Sequence, residues 1–310
     1  RYAEALPSTG AEPESVDPKT PAVSFVQAKD GLPGAATLVV ADLDGDLAPD
    51  AVAAGRAGLR VLRNQKGRLV DATAASGLAG VAGTLALAGD FDNDGRPDLF
   101  VARKGGLALY RNAGEGRFED VTAAAQLPAF AHPVSAAAFL DFDHDGDLDL
   151  LAAGGAKDAP SLLLRNNGNA TFTDVTAAAR IGEPGRAVGL VPTDFDNRRD
   201  LDVFVLREDR PVLFKNVRDG SFEDQAAKLG LAAAGPFRAS AAGDVNKDGF
   251  TDFFLGGEGA SAIALSDGRG GFRTEPLPQA ARSALAAQLF DYDNDGLLDL
   301  LVATAKGPRP

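Results

Sequence analysis

The stretch "GDFDNDGRPDLFVA", residues 89 to 102, sets carboxylates at Asp90, Asp92, Asp94 and Asp98 and a glycine at Gly95. Counted from Asp90, the acids fall at positions 1, 3, 5 and 9 and the glycine at position 6. Alternate side chains of a tight loop converge on one point, and six to eight hard oxygens around a point suit Ca2+. Glycine at position 6 permits the sharp turn, and the position 7 carbonyl adds an oxygen. Without a cation, the four like charges repel one another inside the loop. The bland alternative is a solvated acidic turn that holds no ion. An EF-hand opens similarly but needs a bidentate Glu at position 12, at the start of a helix. Position 12 here is Val101, within an apolar run, so the pattern is not an EF-hand.

The loop recurs as "ADLDGDLAPDAVAAG" from Ala41, "LDFDHDGDLDLLAAG" from Leu140, "TDFDNRRDLDVFVL" from Thr193, "GDVNKDGFTDFFLGG" from Gly243 and "FDYDNDGLLDLLVA" from Phe290. Its first aspartates, 42, 90, 141, 194, 244 and 291, are spaced by 47 to 53 residues. A period near 50 is that of a propeller blade, not of a helical repeat. Within each unit one apolar run leads into the loop and a second leaves it. A third ends in a turn, as in "LALYRNAGEGRF", and a fourth follows, as in "FEDVTAAAQL". Asn and Gly in that turn supply the positive φ angles of a tight hairpin. These features predict an all-β fold: a β-propeller of four-stranded antiparallel blades, with six sequence repeats in a ring of six or seven blades. The sixth unit shows a second strand, "LDLLVAT", and neither a third nor a fourth. "VSFVQAKDGL" from Val23 resembles a fourth strand, so an N-terminal strand is expected to complete the last blade. Its third strand would come from chain beyond Pro310 or from residues 1–20. Residues 1–22, Pro-rich and polar, read as a linker or N-terminal extension ahead of a propeller spanning 23–310.

Composition narrows the function. The net charge is −13, but the six nine-residue loops carry −20, which leaves +7 on the other 256 residues. Phosphate is repelled by such a chain, which argues against a nucleic-acid partner. Absence of cysteine excludes disulfides and thiolate chemistry, and with only His132 and His144 a histidine-built metal site is not expected. No stretch approaches the roughly 18 apolar residues of a membrane span, so direct membrane insertion is not expected.

The acidic loop together with "LYRNAGEGRFEDVT" resembles the FG-GAP repeats of integrin α-chain propellers. It is more similar still to bacterial FG-GAP/VCBS proteins, including the ASPIC/UnbV type, over nearly the whole chain from about Val23. The resemblance implies Ca2+ in the loop between the first and second blade strands. Carried over, the ligands are Asp90, Asp92, Asp94 and Asp98; Asp141, Asp143, Asp145 and Asp149; Asp244, Asn246, Asp248 and Asp252; and Asp291, Asp293, Asp295 and Asp299. The first loop keeps Asp42, Asp44, Asp46 and Asp50 but has Gly45 at position 4 and Leu47 at 6, so altered geometry is expected. The fourth, with Asp194, Asp196 and Asp202, has Arg198 at 5 and Arg199 at 6, where a guanidinium would stand for the ion. About four or five Ca2+ sites follow.

No general acid, base or nucleophile recurs beside the loops, so the ions are expected to be structural and the chain a non-enzymatic interaction or adhesion scaffold, with a glycan lyase or hydrolase as the alternative. By the same resemblance, a protein or glycan partner meets the face opposite the calcium loops, where Phe130, Phe237 and several arginines are either exposed anchors or ordinary loop residues with the rings tucked inward. Scarce cytosolic calcium favours an extracytoplasmic place, periplasmic, surface or secreted, as part of a larger multidomain protein or complex.

Overall fold

A computed structural model of the chain describes residues 34–278, 281, 283–304 and 307–309. They fall into two compact units divided between Arg186 and Ala187. The first unit holds three sheets: β1 (Ala35–Ala41), β2 (Asp50–Gly55), β3 (Gly58–Gln65) and β4 (Arg68–Asp71); β5 (Leu85–Gly89), β6 (Asp98–Arg103), β7 (Gly106–Asn112) and β8 (Phe118–Asp120); β9 (Val134–Leu140), β10 (Asp149–Gly154), β11 (Leu162–Asn166) and β12 (Phe172–Asp174), followed by the short helix α1 (Thr176–Ala179). The second unit holds β13 (Ala187–Thr193), β14 (Asp202–Arg207), β15 (Pro211–Asn216) and β16 (Phe222–Asp224); β17 (Phe237–Gly243), β18 (Asp252–Gly257), β19 (Ala262–Ser266) and β20 (Phe272–Pro276); and a sheet of three, β21 (Ala284–Phe290), β22 (Asp299–Thr304) and β23 (Gly307–Arg309). Every sheet is an antiparallel meander in chain order, which is the blade of a β-propeller. The all-β propeller expectation is met.

The near-continuous apolar runs of the second strands follow from burial on both faces. In β6, Leu99 and Val101 pack with Val52, Leu59 and Val61 of the blade before. Alternate residues Phe100 and Ala102 pack with Leu150, Ala152 and Leu162 of the blade after. One strand of period two thus serves two cores.

Two expectations change. The sixth sheet has a third strand, β23, paired through Val302 and Arg309, which sequence reading missed because "GPR" lacks any β pattern. The fourth strands are also shorter than expected: β8 ends at Asp120 because the Asp120 carboxylate accepts the Thr122 N–H (3.0 Å), turning the chain out of the ladder. Thr122 Oγ1 then accepts the Leu109 N–H of β7 (3.1 Å), and Thr73 and Thr176 do the same for Val61 and Leu163. The N-terminal strand expected from Val23, and the linker before it, lie outside the described residues.

Candidate functional site

Each acidic loop joins the first strand of a blade to the second and is shaped by its own aspartates. In the β5–β6 loop, Asp90 accepts the N–H groups of Asp94 (3.0 Å) and Gly95 (2.8 Å). The same pair of bonds ties Asp141 to Asp145 and Gly146, Asp194 to Arg198 and Arg199, Asp244 to Asp248 and Gly249, and Asp291 to Asp295 and Gly296. Position 5 turns the chain onward, as Asp94 Oδ1 accepts the Arg96 N–H at 3.0 Å. Two positions in each loop, 4 and 6, take left-handed backbone, for example Asn93 (φ 58°) and Gly95 (φ 84°).

The first loop keeps this geometry despite its changed sequence. Asp42 accepts from Asp46 (3.1 Å) and Leu47 (2.9 Å), and Leu47 sits at φ 66° with 92% of its surface exposed. A branched side chain held there costs more than glycine does. Leu47→Gly is therefore expected to raise unfolding free energy by about 0.5–1 kcal/mol. Urea titration of the two proteins checks this.

Position 9 has a different character from the rest. Asp50, Asp98, Asp149, Asp202 and Asp252 open the second strands and are at most 1% exposed. Asp98 accepts the Phe91 N–H at 3.1 Å and the Asn112 N–H at 2.7 Å, stitching loop, second strand and third strand together. Burial pushes the carboxyls of Asp98 and Asp149 up to about 7 and that of Asp252 up to about 6, against the pull of those backbone N–H groups. Burial likewise raises Asp202 to about 7.

Asn112 is a site residue that sequence reading treated only as a turn former. Its Nδ2 donates to Leu43 O in the preceding acidic loop (2.9 Å) and to Pro97 O in its own (3.1 Å). Asn166 repeats this with Phe91 O (2.7 Å) and Leu148 O (3.2 Å). The signal was present in its recurrence: Asn112, Asn166 and Asn216 each end a third strand, Asn64 stands one residue before the end of its own, and all four give their N–H to the position 9 carboxylate.

Acid oxygens converge in five loops. One oxygen from each of Asp42, Asp44 and Asp50 lies within 4.8 Å of the others, and the same holds for Asp90, Asp92 and Asp94, for Asp141, Asp143 and Asp149, for Asp194, Asp196 and Asp202, and for Asp291, Asp293 and Asp295. The buried oxygens Asp44 Oδ1 and Asp92 Oδ1 have no hydrogen-bond partner among the described residues. Burial first, and neighbouring carboxylates second, raise Asp44, Asp92 and Asp143 above the usual carboxylate range. An unpartnered anionic oxygen facing two others fits a divalent ion. In the fifth loop Asn246 occupies position 3, and its Nδ2 donates to Asp248 at 3.0 Å.

The fourth loop belongs to the convergent set but already holds a cation. Lys215 Nζ from β15 hydrogen-bonds to Asp196, and Arg198 Nε lies 3.3 Å from the same oxygen. Arg218 adds a salt bridge to Asp200 at 2.7 Å. An ammonium, with a guanidinium beside it, therefore occupies the place given to a guanidinium alone. On the other connections, Phe130 (8% exposed) and Phe237 (5%) are tucked inward, so neither is an exposed anchor. His132 packs edge-on to Phe130, with ring centroids 5.4 Å apart, and His144 is the left-handed residue at position 4 of its loop.

The FG-GAP-like repeat model matches residues 42–101, 90–152, 141–205, 194–255 and 244–302. Cartilage acidic protein 1 of Xenopus tropicalis is 25% identical over 219 residues, which is 69% of this chain and 28% of that protein. The chain thus spans little more than a quarter of that relative. Among solved structures, an Agrocybe aegerita lectin studied for its recognition of non-reducing terminal N-acetylglucosamine superposes with a TM-score of 0.60 at 20% identity, covering 88% of this chain and 75% of the lectin. BBS1N, solved in complex with ARL6DN, gives 0.57 at 12% identity, covering 88% and 78%. At these identities the two structures speak for the fold alone.

Proposed function

The chain belongs to the FG-GAP-like repeat family, and from that membership and its loop geometry we propose a calcium-stabilised β-propeller that works as a non-enzymatic scaffold for a protein or glycan partner. The observation that carries the proposal is the buried, unpartnered oxygen at position 3, Asp44 Oδ1 and Asp92 Oδ1, set against two further carboxylates. Calcium is favoured over smaller or softer ions because every candidate ligand is a hard oxygen and several such groups belong to each loop. Occupied loops are the Asp42, Asp90, Asp141, Asp244 and Asp291 sets, and the Asp194 loop takes no ion because Lys215 fills it. The propeller spans 23–310 behind an extension of 1–22, and free calcium outside the cytosol suits an extracytoplasmic place. A partner on the face opposite the loops accords with propellers that meet a sugar, as the Agrocybe lectin does, or a protein, as BBS1N does.

Titration under varied pH tests the metal assignment. A carboxyl whose folded pKa is raised contributes stability below its unfolded value and loses it as pH climbs through the folded value. For Asp98 and Asp149, raised to about 7, the ion-free protein therefore weakens between about pH 4 and pH 7. Bound ions need the ionised form and gain affinity over the same interval. The difference in Tm between calcium-loaded and chelated protein is expected to widen from pH 5 to pH 8. A difference that is flat or shrinks, or a calorimetric titration giving fewer than three calcium ions per chain, contradicts the assignment.

A further inference from the structure

Where the fourth acidic loop departs from the others, the second unit gains a concavity of about 420 Å3 lined by cations. It lies between the Asp194 loop, the chain leaving β16 and the β19–β20 hairpin. Four cations line it, Arg198, Lys215, Lys228 and Arg269, with the carboxylate of Asp196; Asp194 and Asp202 converge on Asp196, and Asp267 stands beside Arg269. Lys215 and Arg198 share Asp196. Lys228 and Arg269 are exposed and make no salt bridge among the described residues. Arg269 helps hold Asp267 below the usual carboxylate range, behind the two backbone N–H groups that Asp267 accepts. Lys228 and Arg269, left without a salt bridge, are the cations of this concavity open to an incoming anion.

The rest of the lining suits a ring bearing hydroxyls. Phe250 and Leu229, both half-buried, provide an apolar wall. Gln225 spends its Nε2 on Glu223 at 2.9 Å, which leaves its amide oxygen to accept. The volume lies toward the small end of those that enclose small ligands. We propose that this concavity binds the sugar acid of an anionic glycan, a uronate, its carboxylate meeting Lys228 and Arg269 and its ring lying on Phe250 and Leu229. Lysine offers a point charge and arginine a two-pronged donor whose geometry matches a carboxylate. The assignment rests on the scaffold reading and deepens it, but it places sugar contact on the rim that carries the acidic loops.

Isothermal titration of the full chain with D-glucuronate, D-glucose, acetate and an acidic tetrapeptide, all in calcium, tests it. Glucuronate is expected to bind saturably and at least ten-fold tighter than each of the other three. The double variant Lys228→Ala, Arg269→Ala should weaken glucuronate ten-fold or more while keeping the wild-type Tm and its calcium dependence, since both side chains are exposed. No binding of glucuronate, equal binding of acetate or glucose, tighter binding of the peptide, or indifference to the double substitution would each overturn the proposal. Glucuronate binding by a protein whose Tm ignores calcium would instead sink the metal assignment and leave this one standing.

Discussion

Chelation is expected to lower the Tm by roughly 20 °C. An ion bound only by the folded chain stabilises it by about 2.7 kcal/mol when its free concentration is a hundred-fold above Kd. Four of the five proposed loops alone then supply on the order of 10 kcal/mol, and for a chain of this size each kcal/mol moves the Tm by about 2 °C. The mechanism is local. With Asp92 Oδ1 buried and unpartnered, removal of the ion leaves an unmatched anionic oxygen beside the carboxylates that shape the turn, whereas Asp44 keeps Arg63 Nε at 3.6 Å. Scanning calorimetry in calcium and in excess chelator reads the difference, with added magnesium as a control for general screening. A shift under about 3 °C would mean that the loops hold themselves together.

Asp98→Ala should cost about 3–5 kcal/mol, and it should do so even in chelator. Asp98 is fully buried and accepts two backbone N–H groups, from Phe91 at 3.1 Å and Asn112 at 2.7 Å. Truncation strands both donors, at about 1–3 kcal/mol each, and opens a small void. Asp94→Ala is the comparison. Asp94 is exposed, so its removal should lower calcium affinity while changing chelated stability by under about 1 kcal/mol. If the two variants are equally stable in chelator, position 9 is only a ligand, and its part in holding the blade together is disproved.

These two variants separate roles that one-dimensional spacing merges. The acidic positions were legible because they repeat, and the blade was legible because its period and turn residues repeat with them. Burial was not. Asp98 looks like Asp90 in sequence, and only the strand that begins at Asp98 withdraws it from water. Asn112 and Asn166 were read as turn formers because Asn in a hairpin bend explains itself locally, while their bonds reach carbonyls 69 and 75 residues away. The occupant of the fourth loop was half legible: Arg198 and Arg199 lie inside it, but Lys215 arrives from a strand 19 residues beyond Asp196. The inward turn of Phe130 and Phe237 depends on tertiary packing, which no local pattern encodes.

The asparagine bridges have an evolutionary corollary. From the buried acid to the third-strand Asn the chain advances 14 residues in one blade (Asp98 to Asn112) and 17 in the next (Asp149 to Asn166), yet both bridges close. The extra length is absorbed in the connection between β10 and β11, at the end of those strands away from the acids. One end of a blade tolerates insertion without disturbing the other. Descendants of such a chain can lengthen or rewrite that end of a blade while inheriting the acidic loops unchanged.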